Sequence, residues 1–207
     1  MKTRYQSAGF ADNIVVGLDI GTTKVCAMIA ARDADDRINI LGIGHAENEG
    51  MARGTVTHIE KTVRAIQQAV SDAERQSGIK VRAVNVGIAG DHIQSFQSRG
   101  VIAISNPENE IARKDVERLL QDTKRVALPS DRRIIHVIPQ EFIVDGQDGI
   151  YDPVGMAGVR MEANVHIITG GITAVQNIYK CVERAGLEVN DLVLLSLIHI
   201  SEPTRPY

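Results

Sequence analysis

A chain of 207 residues, 43% of them hydrophobic and with a formal net charge of −3, is sized for one large domain or two small ones with ordinary cores. Acidic and basic residues are interspersed, so no global field draws the chain toward nucleic acid or anionic lipid, and no nucleic-acid partner is expected. Cys26 and Cys181 are distant and outside any CxxC spacing, which excludes a disulfide framework and a cysteine zinc site. Residues 1–13 are polar, and no run of about eighteen apolar residues follows, so neither a secretory signal nor a membrane span is expected.

In chain order, residues 14–20 read as a buried strand and 25–31 as its hairpin partner, with the break at 19–24. A strand over 38–46 leads into the glycine-punctuated segment 50–54. Helical spacing then runs over 59–76 through Val63, Ile66, Ala69, Val70 and Ala73, with Gly78 placed as a C-cap. Strands are expected over 81–88, ending at Gly87 and Gly90, and over 101–104. Residues 107–110 interrupt, and 113–127 read as an amphipathic helix. Two short strands over 134–139 and 141–144, a turn-rich stretch over 145–158, a strand over 160–169 and a helix over 173–185 complete the order. Strands interleaved with helices predict an α/β or α+β protein of two subdomains.

The candidate chemistry lies in Asp19, Ile20, Gly21, Thr22, Thr23 and Lys24. Gly21 permits close backbone approach, successive N–H groups of such a loop can turn toward an anion, and Lys24 adds positive charge. Asp19 ends an apolar strand, where a bare carboxylate is costly, and a Mg²⁺ held through water would account for it. A plain hairpin turn whose aspartate caps the backbone fits the spacing equally well. The Walker A spacing is absent. The dispersed histidines His58, His92, His136 and His166 have no ligand spacing, no GxSxG elbow is present, and the aspartates of 145–152 lack the EF-hand arrangement.

The segment VVGLDIGTTK at 15–24 is similar to the first phosphate loop of the actin, Hsp70 and sugar-kinase superfamily. VGIAGDHI at 86–93, IPQEF at 138–142 and, most specifically, DPVGMAGVRM at 152–161 resemble the bacterial cell-division family FtsA. VHIIT at 165–169 and VERAGL at 182–187 follow in the same order, so the resemblance covers roughly residues 14–194.

The resemblance implies an α/β fold with an actin-like (ribonuclease H-like) subdomain 1A, over 14–82 and 164–195. Into it an α+β, SHS2-like subdomain 1C is inserted over 83–163, after a flexible stretch at 1–13. It implies ATP as cofactor, with Asp19, Gly21, Thr22, Thr23 and Lys24 as phosphate-loop residues and Asp19 also placing Mg²⁺ through water. Catalytic residues are not implied, and ATPase activity would be weak at most. A family member assembles at the division septum, peripheral on the inner face of the cytoplasmic membrane. It tethers FtsZ filaments to that membrane, self-associates into filaments and recruits later division proteins, the last two through subdomain 1C. FtsZ and membrane contacts would lie in a second half that this sequence lacks. Residues 196–207 resemble a translated sequencing adapter and are expected to be an artefactual tail on a fragment whose nucleotide site is incomplete. An ATP-dependent kinase or a chaperone-like ATPase of the same superfamily is the alternative.

Overall fold

The computed structural model describes residues 13–35, 37–105 and 108–195. The tail expected at 196–207 and the N-terminal stretch before residue 13 lie outside the described residues. The described residues divide into two compact units, one within 13–92 and 173–195, the other within 93–172.

The first unit is built on a five-stranded mixed sheet. β1 (Ile14–Ile20) and β2 (Lys24–Arg32) form the expected antiparallel hairpin, with Ile20 opposite Val25, and β3 (Ile38–Glu47) continues it on the far side of β2. The short pair β4 (Met51–Ala52) and β5 (Thr55–Val56) occupies the glycine-punctuated segment. Helix α1 (Ile59–Ser77) then returns the chain to β6 (Ala83–Ile88), which pairs parallel with β1. Gly78 ends α1 in the left-handed conformation (φ 72°), its N–H donating to Glu74 O, as its position after the last periodic residue predicts.

Val63, Ile66, Ala69, Val70 and Ala73 form the buried stripe of α1. They lie close to β3 because Gly42 and Gly44 carry no side chain: a Cβ at Gly44 would stand 2.0 Å from Ala69 O. Leu18, Val25, Ile29, Val84 and Val86 fill the sheet side of this core, each fully buried aliphatic contributing about 1.5–3 kcal/mol.

The second unit is a four-stranded antiparallel sheet in the order β7, β10, β8, β9, with helix α2 against it. β7 (Ile93–Ala103) precedes α2 (Arg113–Thr123), and β8 (Arg132–Val144), β9 (Gln147–Ile150) and β10 (Arg160–Gly171) follow. Ile102, Ile111, Leu119, Phe142, Met161, Val165 and Ile167 form its core. Gly100 sits under α2, where a Cβ would meet Thr123 Cγ2 at 2.5 Å. The buried Glu162 carboxylate is held by Arg99 Nε at 2.6 Å and by Arg160, and Asn164 donates to Glu141 at 2.7 Å. Helix α3 (Ile172–Arg184) then leads to β11 (Glu188–Leu194), which adds parallel to β6.

The units change over some ten residues later at each end than the expected 83–163 insertion. Residues 83–88 form β6, whose pairing with β1 places them in the first sheet. Residues 164–171 remain in β10, paired on both sides within the second sheet. The two strands expected over 134–144 are one continuous strand. Pro139 is accommodated next to a register shift, and β9 pairs only beyond it, at Phe142 and Val144, so the missing N–H has no ladder to break on that side. β7 extends well N-terminal of the expected 101–104, and α2 ends at Thr123, before the expected 127.

The run at 152–161 closes the loop beside α2. Gly155 N donates to Ile111 O (2.9 Å), Ile111 N to Met156 O (2.8 Å) and Gly158 N to Asn109 O (2.8 Å). The Asp145 carboxylate accepts the backbone N–H groups of Val159 (3.0 Å) and Arg160 (2.8 Å). A Cβ at Gly158 would meet Val144 Cγ1 at 2.4 Å, so the tight approach requires glycine.

Candidate functional site: the β1–β2 hairpin and its cavity

The hairpin closes where Gly21 N donates to Lys24 O at 3.0 Å, leaving Thr22 and Thr23 at its tip. Asn48, 4% exposed, ties the tip down from below. Its Nδ2 donates to Gly21 O (2.8 Å), its backbone N donates to Thr23 O (2.9 Å), and its Oδ1 accepts Gly50 N (3.0 Å). Gly50 O in turn accepts the N–H groups of Thr57 (2.8 Å) and His58 (3.0 Å) at the entry to α1. One buried amide thus links the tip, the glycine segment and the helix start.

A second brace comes from the β4–β5 turn. Arg53 (φ 50°) and Gly54 (φ 76°) both adopt left-handed backbone, and Gly54 N donates to Thr22 Oγ1 at 3.1 Å. The turn lies against the segment after β6. A Cβ on Gly54 would stand 2.1 Å from Ala89 O, one on Gly90 would stand 2.7 Å from Arg53 O, and Asp91 N donates to Arg53 O at 3.4 Å.

These segments enclose a cavity of about 300 Å³ lined by Asp19 to Thr22, Arg53, Gly54 and Ala89 to Asp91. Burial pushes the Asp19 carboxyl above its ordinary value, and the nearby Lys24 charge pulls the other way. The site residues expected from sequence therefore divide. Asp19, Gly21 and Thr22 line the cavity, whereas Thr23 and Lys24 are exposed on the same hairpin and do not. Asn48, Arg53 and Asp91 escaped the sequence reading. The signal for them was the clustering of Gly50, Gly54, Gly87 and Gly90 around them.

Chemically, the cavity offers hairpin backbone, a hydroxyl, one guanidinium and two carboxylates. Among the described residues no group of three or more His, Cys, Asp or Glu is placed to hold a metal ion. A cation here would have Asp19 and Asp91 and its own waters, a sparse oxygen set of the kind Mg²⁺ accepts. A carboxylate raised in pKa by burial is also one that a cation stabilises, so the donor set fits such an ion.

Comparison with known proteins adds the following. Residues 90–169 match the family described as the SHS2 domain inserted in FtsA. The cell division protein FtsA of Pseudomonas aeruginosa is 44% identical over 184 residues, which is 89% of this chain and 44% of that protein. FtsA of Neisseria meningitidis is 46% identical over 180 residues, 87% of this chain and 43% of that protein. FtsA of Escherichia coli is 40% identical over 184 residues. The chain spans less than half the length of these relatives. Among solved structures, the PilM–PilN type IV pilus biogenesis complex superposes with a TM-score of 0.58 at 12% identity, over 87% of this chain and 47% of that one. At that identity the likeness concerns the fold alone, and it agrees with an actin-like α/β unit carrying an SHS2 insertion.

Proposed function

Because this chain belongs to the FtsA family of bacterial cell-division proteins, we propose that its first unit is the part of an ATP site that holds the terminal phosphates. The observation that carries the proposal is the Asp19 to Lys24 hairpin, clamped by Asn48 and Gly54 at the edge of a cavity. In this reading Gly21 lets phosphate oxygens approach the backbone, and Thr22 and Thr23 contribute hydroxyls. Lys24 supplies charge from the rim. Asp19, with Asp91 facing the same cavity, would hold Mg²⁺ through water, and the bound ion would offset phosphate charge.

In this reading the opposing half of the site, the FtsZ contact and the membrane attachment would lie in parts of the family's length that this chain does not span. The inserted second unit, as an SHS2 domain, would serve self-association into filaments and recruitment of later division proteins at the septum, on the inner face of the cytoplasmic membrane. Among the described residues no helix is long and apolar enough to cross a membrane.

The test is a titration of the ¹⁵N-labelled chain with ATP and Mg²⁺ at millimolar concentration. Amide resonances of Gly21 to Lys24 are expected to move saturably, and to move less with Asp19→Asn. Shifts spread evenly over the surface, unchanged by that substitution, would remove the proposal.

A further inference from the structure

We propose that Arg53 is the cationic contact inside this cavity and that it makes the site prefer a nucleoside triphosphate over the corresponding diphosphate. The inference rests on the phosphate-binding reading above and extends it to a residue and a selectivity. Three observations carry it.

First, both Arg53 and the hairpin's own cation, Lys24, are exposed, yet only Arg53 lines the cavity. Second, Arg53 holds a backbone conformation (φ 50°) that costs a residue with a Cβ about 1–2 kcal/mol, in a two-residue turn that ordinarily takes Asn, Asp or Gly. The turn itself gives no reason for arginine. Third, its backbone is fixed on both sides, by Gly54 N on Thr22 Oγ1 (3.1 Å) and by the close approach of Gly54 and Gly90. The backbone that carries its side chain is therefore a braced point beside the hairpin tip.

Two carboxylates, Asp19 and Asp91, line the same cavity, yet among the described residues no ion pair is recorded for Arg53. A planar guanidinium that is not committed to a carboxylate can present paired N–H donors to a phosphate. A triphosphate has one more phosphate and one more negative charge than the diphosphate, so a cation placed where that third phosphate sits gains a contact only from the longer chain. Thr22 Oγ1 accepts Gly54 N, so an anion settling at the tip would lie next to the turn that carries Arg53.

The test compares Arg53→Gly and Arg53→Lys with the unsubstituted chain by NMR titration with ATP and with ADP. Glycine relieves the left-handed backbone, so Arg53→Gly is expected to melt at the same temperature or higher while losing about tenfold in ATP affinity and most of the preference over ADP. Arg53→Lys should retain part of that preference. If hairpin amides respond to ATP but Arg53→Gly leaves the ATP-to-ADP ratio unchanged, the role of Arg53 is overturned and the phosphate-loop reading survives. If hairpin amides respond to neither nucleotide, both are overturned.

Discussion

Replacing Asn48 by alanine should loosen the hairpin tip and destabilise the first unit by about 2–4 kcal/mol. The magnitude follows from what the side chain holds. Its Nδ2 bond to Gly21 O is 2.8 Å and its Oδ1 bond from Gly50 N is 3.0 Å, and each such bond contributes about 1 kcal/mol net. Truncation also leaves the N–H of buried Gly50 without its acceptor, and an unsatisfied buried group costs about 1–3 kcal/mol. Aspartate is a sharper probe. It keeps an acceptor for Gly50 N, sets an oxygen against Gly21 O, and places a charge at a site only 4% exposed, so it should cost at least as much as alanine. The chain has no tryptophan, so urea unfolding would be followed by far-ultraviolet circular dichroism, with amide exchange at the hairpin as a local reading. A loss below about 0.5 kcal/mol with unchanged exchange at Gly21 would refute the reasoning, because two bonds to a buried amide cannot be that weak.

Three further outcomes are expected. Asp19 has a folded pKa raised by burial, so its ionised form is disfavoured in the folded chain; that cost is absent below the unfolded value of about 3.9 and is fully present once pH has risen through the folded pKa. Asp19→Asn should therefore flatten the loss of stability on raising pH across that window, measured by urea unfolding at a series of pH values, and an unchanged slope would count against the burial argument. Gly44→Ala places a Cβ 2.0 Å from Ala69 O and 2.6 Å from Ala73 N, so α1 must lift off β3, with an expected cost above about 2 kcal/mol in the same assay. Cys181 is buried, and burial pushes its thiol up to about 11, so at pH 8 a disulfide reagent should label half-buried Cys26 long before Cys181, as peptide mass spectrometry would read.

The sequence pattern captured the elements whose burial is one-sided. Val63, Ile66, Ala69, Val70 and Ala73 repeat at helical spacing because one face of α1 packs on β3, and that periodicity is visible without coordinates. β7 was harder to read. Residues 94–99 alternate polar with polar, and only Phe96 interrupts them, so the strand exists through pairing with β10 and not through its own apolar content. β9 lies in a stretch dense in glycine and aspartate, where turn signals outweigh the short pairing with β8. At the site, Gly21 and Thr22 could be placed on a hairpin from local sequence alone. Asn48 and Asp91 reach the same region through contacts over 27 to 70 residues of intervening chain, and no local spacing encodes that convergence.

The second unit begins and ends on neighbouring strands, since Ile93 at the start of β7 lies opposite Gly170 near the end of β10. An insertion whose two ends emerge side by side interrupts its host chain at essentially one point. Such an insertion can be lost, exchanged or enlarged without rethreading the parent sheet, because a short glycine bridge between residues 92 and 173 would restore continuity. Selection can accordingly reshape the inserted unit without disturbing the register of the sheet that carries the hairpin.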